Sequence, residues 1–183
     1  MNLIKLFETQ SKLDARIVEE KSLQGRDMLP EKILALLVEL GELANEWRGF
    51  KFWSNKQSPA IRPSNPIEHG NPMLEEYVDC LHFILSIGLE LHPKIMHMEW
   101  SKYLNARVKD LVTKNEHVSI TDMFNGLFRL VITFHDKQEL TDYTRLIYLF
   151  FNLGRKLDFT LDDIETAYYT KNEINHSRQN NGY

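Results

Sequence analysis

Apolar side chains recur every three or four residues along most of the chain, which is the period of an amphipathic α-helix. The sequence lacks the strict alternation of apolar and polar residues that marks a half-buried strand. The pattern therefore predicts an all-α fold, a helical bundle built around a four-helix core with additional helices. The predicted helices span residues 7–22, 30–48, 72–91, 94–115, 119–136, 139–156 and 160–179.

One long segment, residues 54–70, lacks helical periodicity and is rich in proline. A loop of this length inside a compact domain is usually functional or mobile. The helix that follows has a clear start, because Asn71 is a good N-cap and Pro72 suits the first helical position. We expect a single domain, residues 1–183, with a mobile loop at 54–70.

Composition and charge narrow the class of protein. Hydrophobic residues make up 43% of the chain and charged residues 26%, as expected of a soluble globular domain. The net charge of -4 gives no bulk attraction to a nucleic-acid polymer, and a single cysteine, Cys80, fits a reducing compartment. The longest apolar stretch, 81–91, is too short to cross a bilayer. We expect a cytoplasmic protein that binds neither nucleic-acid polymers nor membranes.

Acidic residues follow one edge of the second and third predicted helices. Glu39 and Glu42 are one turn apart, roughly 60° around a helix that advances about 100° per residue. Glu76 and Asp79 repeat this spacing beside the apolar stripe of the third helix. If the two apolar stripes pack together, the four carboxylates converge.

Converging carboxylates repel one another unless a cation lies between them. Oxygen ligands without a pair of cysteines or histidines favour Mg²⁺, or Mn²⁺, over zinc. A solvated acidic face is the alternative, since such spacings are common on helix surfaces. Two motifs on neighbouring helices favour the metal site without deciding the question.

Two further groups of residues suggest a nucleotide. Phe83 projects between Glu76 and Asp79, where an aromatic ring could stack on a base, although packing against another helix would explain it equally well. Lys171, Asn175 and Arg178 share one face of the last helix. Lysine and arginine at this spacing can hold phosphate oxygens, or they form an ordinary solvated basic face.

The order of these motifs resembles the dimeric dUTPases, which belong with the MazG-like enzymes to the all-α nucleoside triphosphate pyrophosphohydrolases. The resemblance runs from about residue 10 to the end of the chain. The acidic motifs are common to that superfamily. The segment 50–53 (Phe-Lys-Phe-Trp) and the ending Lys-Asn-x-x-Asn-x-x-Arg-Gln, which begins at Lys171, are more specific to dUTPases.

The resemblance implies hydrolysis of dUTP, and of dUDP, to dUMP, with pyrophosphate released from dUTP. It implies two or three Mg²⁺ ions bound with substrate, Mn²⁺ being a possible substitute. Gln10 and Asp14 lie where the family has nucleoside contacts. By motif position Glu39 would be both catalytic and a metal ligand, orienting the attacking water, and the other ligands would be Glu42, Glu76 and Asp79. The implied substrate-binding residues are Lys51, Trp53, His82, Phe83, Lys171, Asn175 and Arg178.

Two other functions stay open at this point. The same metal site would serve a house-cleaning pyrophosphohydrolase for dCTP or a modified nucleotide, or the chain could be a non-catalytic helical regulatory protein that retains the fold. The resemblance also implies a homodimer. The many apolar and aromatic residues in 119–156 are explained by core packing as well as by a partner surface.

Overall fold

A computed structural model describes residues 1–59, 71–91 and 117–180, together with residues 102, 104, 106 and 108. Every regular element among these residues is a helix, which confirms the predicted all-α fold. The helices are α1 (Leu3–Glu20), α2 (Leu29–Trp47), α3 (Pro72–Glu90), α4 (Ile120–Lys137), α5 (Leu140–Lys156) and α6 (Leu161–Asn180).

Two predictions fall largely outside the described residues. The predicted helix at 94–115 is described at four positions alone, which are helical. The predicted loop at 54–70 is described up to Pro59, and its described part contains no helix.

Helix starts follow the capping signals, with one correction. The Asn71 side chain accepts a hydrogen bond from the Leu74 backbone N–H at 3.2 Å, as an N-cap should. The prediction that the first helix begins at residue 7 is wrong. Asn2 caps the Lys5 N–H at 3.3 Å, and α1 therefore starts at Leu3, a buried residue.

Helix α3 is central to the described bundle, since it packs against α1, α2, α5 and α6. Its buried stripe, which includes Tyr77, Leu81 and Ile84, meets the Leu36 and Leu40 side chains of α2 within one hydrophobic core. Polar side chains on the edges of α3 consequently lie at the seams with its neighbours. This arrangement positions the candidate site.

Two buried tyrosines connect α3 with α5. The Tyr77 hydroxyl donates to the Phe150 carbonyl at 3.1 Å, and the Tyr143 hydroxyl donates to the Ile84 carbonyl at 2.8 Å. A Cβ atom at Gly88 would collide with the Tyr143 hydroxyl, so the absence of a side chain there lets the ring reach its acceptor.

Among the described residues, no helix combines the length and the apolarity that crossing a membrane requires.

Candidate active site

Three glutamates meet where α2 packs against α3. Glu39 and Glu42 come from α2 and Glu76 from α3, and one carboxylate oxygen of each lies within 4.8 Å of the other two. This convergence follows from the packing of the two apolar stripes. Three of the four predicted metal ligands are therefore close enough to share a cation.

Asp79, the fourth predicted ligand, lies outside this group of three. Its Oδ2 atom accepts a hydrogen bond from the Lys171 ammonium at 2.6 Å. The same ammonium donates to Glu75 Oε1 at 3.0 Å. Sequence reasoning missed a role for Glu75, although its position one turn before Asp79 placed the two carboxylates on the same face.

The cluster has an excess of negative charge. Burial, together with the charges of Asp79 and Glu42, raises the pKa of Glu39 to about 7. Burial and the same two neighbours raise the pKa of Glu76 to about 7. Burial also raises the pKa of Asp79, and the hydrogen bond that Asp79 accepts from Lys171 offsets this rise only in part. A bound cation would relieve this repulsion.

A cavity of about 380 Å³ opens beside the glutamates, and both Glu39 and Asp79 line it. Its volume is in the range of small-molecule sites. Four of the residues predicted to bind substrate also line it: His82, Phe83, Asn175 and Arg178. The remaining wall comes mostly from α1 and the start of α2 and combines polar side chains with four apolar ones, Leu13, Ile17, Val18 and Met28.

A chain of hydrogen bonds fixes the polar groups on one side of the cavity. The Gln10 amide nitrogen donates to Asp14 Oδ1 at 2.7 Å, and its carbonyl oxygen accepts from the Tyr168 hydroxyl at 2.9 Å. His82 Nδ1 lies 2.8 Å from that same carbonyl and therefore donates to it. Burial lowers the pKa of His82 to about 3, so the ring is neutral.

Asp14 accepts from a second side chain of the cavity wall. The Ser86 hydroxyl donates to Asp14 Oδ2 at 2.6 Å, and the Lys32 ammonium lies 3.7 Å from the same oxygen. Lys32 also bonds to Glu90. Neither Lys32 nor Ser86 was predicted, because nothing in the local sequence indicates that α1, α2 and α3 meet at this point.

Comparison with known proteins decides the family. The model of the family described as dUTPase matches residues 2–183. The chain belongs to the dUTPase family. It is accordingly a dUTP diphosphatase, a nucleoside triphosphate pyrophosphohydrolase, and the resemblance inferred from its motifs is confirmed. No curated protein matches the chain.

Residues 50–53, here called the tryptophan segment of this dUTPase, are not part of the cavity wall. Trp53 is 65% exposed and makes edge contacts with Phe50 and Phe52, at ring distances of 5.8 and 5.0 Å. The Lys51 ammonium lies 5.5 Å from the centre of the Phe50 ring. The structure thus does not bring Lys51 or Trp53 together with the other predicted substrate-binding residues.

The C-terminal helix of the dUTPase is tied to α1 near the cavity. Arg16 donates to the His176 carbonyl at 3.0 Å and to the Asn180 side chain at 2.6 Å. Arg178 donates to Asn175 at 3.4 Å on the side that lines the cavity. These bonds explain why the polar ending of the described chain continues as a helix.

Proposed function

We propose that this dUTPase hydrolyses dUTP to dUMP and pyrophosphate with Mg²⁺ held by Glu39, Glu42, Glu76 and Asp79. The observation that carries the proposal is the group of three glutamates beside a cavity of nucleoside size. The same site would convert dUDP to dUMP and phosphate. The family match supports dUTP hydrolysis in general.

The donor set fits a divalent cation. Three carboxylate oxygens within 4.8 Å are hard ligands, and the pKa values of Glu39 and Glu76 are raised by burial and by repulsion that a cation would relieve. Mg²⁺ suits such oxygen ligands best, and Mn²⁺ would substitute. When bound, Mg²⁺ neutralises phosphate charge and lowers the pKa of a nearby water. We propose two or three ions in the presence of substrate.

Glu39 is the proposed catalytic residue. It belongs to the glutamate group and also lines the cavity, so it adjoins both the proposed metal site and the space proposed for the nucleotide. Burial raises its pKa to about 7 without a metal, and a bound cation would favour the ionised carboxylate, the form that accepts a proton from the attacking water. A positioned base of this kind typically contributes 10²–10⁴-fold to the rate, an order-of-magnitude range.

The remaining predicted residues take substrate-binding roles in this proposal. Phe83 stacks on the base and His82 contacts the nucleoside, while Lys171 and Arg178 hold phosphate oxygens and Asn175 binds polar groups of the nucleotide.

Lys51 and Trp53 of the tryptophan segment lie outside the cavity in the structure. Their contact with substrate requires this segment to approach the site, and the mobile loop proposed at 54–70 directly follows it.

We also propose that the whole chain is one domain and that it works as a cytoplasmic homodimer. Leu34 and Val38 are exposed apolar residues one turn apart on α2, as expected of a surface that a partner covers. The buried single cysteine, Cys80, is consistent with a reducing compartment.

The substrate is tested by steady-state assays with Mg²⁺ on dUTP, dUDP, dCTP, dTTP and UTP. Pyrophosphate release reports the triphosphates, and phosphate release reports dUDP. We expect the highest kcat/KM with dUTP, at least roughly tenfold above dCTP, which corresponds to about 1.4 kcal/mol of discrimination. A preference for dCTP would instead support the house-cleaning alternative.

A further inference from the structure

The Lys171 ammonium lies between two carboxylates of α3. It is 2.6 Å from Asp79 Oδ2 and 3.0 Å from Glu75 Oε1, and its side chain is only 8% exposed. Burial alone would lower the pKa of Lys171, but the hydrogen bonds that it donates to the two carboxylates outweigh burial and raise the pKa above the ordinary value. In the nucleotide-free enzyme this lysine is therefore a buried cation that is already paired.

Asp79 differs in this respect from the three glutamates. They form a group close enough to share an ion, whereas Asp79 is bound to an ammonium from another helix. The four acids thus divide into a group of three that is ready for a divalent ion and a fourth that is already neutralised.

We propose that Lys171 fills the position of a second cation at Asp79, and that it leaves for the nucleotide phosphates when a divalent ion binds Asp79. The inference rests on the proposed function, because it takes the three-glutamate group as the first metal site. It makes Lys171 a residue that couples metal binding to nucleotide binding.

Electrostatics favours an exchange over simultaneous binding. A divalent ion bonds a carboxylate oxygen at about 2.1 Å. An ion on Asp79 Oδ2 would therefore lie within about 5 Å of the ammonium in its present position, and like charges this close repel strongly in a partly buried site. Phosphate oxygens offer the ammonium new anionic partners, and the divalent ion takes its place at Asp79.

Such an exchange links the two ligands in both directions. If the nucleotide draws Lys171 away, it increases the affinity of Asp79 for an ion, and the ion increases the affinity for the nucleotide by the same factor. Coupling between sites is typically about 5–150-fold. Removing the ammonium by substitution should therefore increase the affinity of Asp79 for the second ion even when no nucleotide is present.

The test is a titration of the nucleotide-free full chain with Mn²⁺, in which calorimetry measures the binding. Lys171→Met removes the charge and keeps an unbranched side chain. Lys12→Met, at an exposed position of α1, removes the same charge elsewhere. We expect Lys171→Met to bind a second Mn²⁺ at least about fivefold more tightly than the wild type, and Lys12→Met to match the wild type.

A double variant shows whether Asp79 is the ligand that is released. Adding Asp79→Asn to Lys171→Met should abolish the gain, since the freed oxygen is then lost. Equal isotherms for wild type and Lys171→Met would overturn the inference. So would an equal gain from Lys12→Met, or a gain that survives Asp79→Asn.

A measurement on the wild type covers the case in which Lys171→Met does not fold. The ¹⁵N signal of the Lys171 ammonium should shift when Mg²⁺ and a non-hydrolysable α,β-imido analogue of dUTP are added together, and an unchanged signal would contradict the exchange. Pyrophosphate release from dUTP by the wild type is assayed separately. Its absence would refute the proposed function, whereas the titrations bear on Lys171 alone.

Discussion

Glu39 is shared by the glutamate group and the cavity wall, and its chemistry follows from that position. It is half-buried and faces the negative charges of Asp79 and Glu42, which explains its pKa of about 7. A cation bound to the glutamate group would favour the ionised form of Glu39, which is the form that can accept a proton. Glu46, two turns further along α2, is outside the group.

Comparing substitutions of Glu39 and Glu46 distinguishes a specific role of Glu39 from the effect of removing any acidic side chain of α2. Glu39→Gln keeps the size of the side chain and removes the base and one metal ligand. We expect kcat for dUTP to fall by about 10²–10⁴-fold. Glu46→Gln is the matched control and should retain nearly wild-type kcat in the same pyrophosphate assay. Equal losses in the two variants would argue against a specific role for Glu39.

The pKa values of the cluster predict a pH-dependent release of protons on metal binding. With a pKa of about 7, Glu39 and Glu76 are largely protonated at pH 6 and largely ionised at pH 9 in the metal-free enzyme. A bound cation favours the ionised form, so Mg²⁺ should displace protons at pH 6 and few at pH 9. Calorimetry in two buffers of different ionisation enthalpy measures the number of protons released per Mg²⁺ bound. Proton release that does not change with pH would contradict the shifted pKa values.

At the scale of elements, helix α3 joins the three-glutamate group to the cavity. Its residues 75, 76 and 79 face α2 and α6, and His82 and Ser86, further along, reach side chains of α1. Helix α6 closes the arrangement, since Tyr168 bonds to Gln10. The cavity forms where four helices meet, α1, α2, α3 and α6, and no single segment contains it.

Tyr168→Phe tests whether this bonding chain positions the nucleoside contacts. Loss of the hydroxyl removes one hydrogen bond to the Gln10 carbonyl, a contribution of about 0.5–1.5 kcal/mol. We expect KM for dUTP to rise roughly 2–10-fold with little change in kcat, because Tyr168 acts through Gln10 and His82. Tyr169→Phe, the neighbouring residue, is the control and should leave KM unchanged. A drop in kcat without a change in KM would contradict a positioning role.

The elements themselves were largely predictable from sequence. Apolar periodicity identified each helix of the described ranges, and Asn71 marked the start of α3. The start of α1 was missed because Asn2 was not interpreted as an N-cap, although its side chain accepts from the Lys5 N–H. The pairing of Lys171 with Glu75 was not predictable, since it depends on how α6 crosses α3.

At the scale of the molecule, sequence patterns identified the family and the acidic cluster together. The wheel positions of Glu39, Glu42 and Glu76 depend on helical geometry alone, so their convergence followed once α2 and α3 paired. The position of Trp53 was not predictable, because it is exposed and lies outside the helices, where apolar periodicity does not indicate which surface a side chain contacts. The wall of the cavity was also not predictable, since residues that line it, such as Lys32 and Ser86, lie far apart in sequence.

The central claim is that the three-glutamate group holds the metal that dUTP hydrolysis requires. Its most direct test is the rate of pyrophosphate release from dUTP as a function of Mg²⁺ concentration, for the wild type and for Glu76→Gln. We expect no release by the chelator-treated wild type, and we expect Glu76→Gln to need at least about tenfold more Mg²⁺ for half of its maximal rate. Full activity in the presence of chelator, or identical Mg²⁺ curves for the two proteins, would contradict the claim.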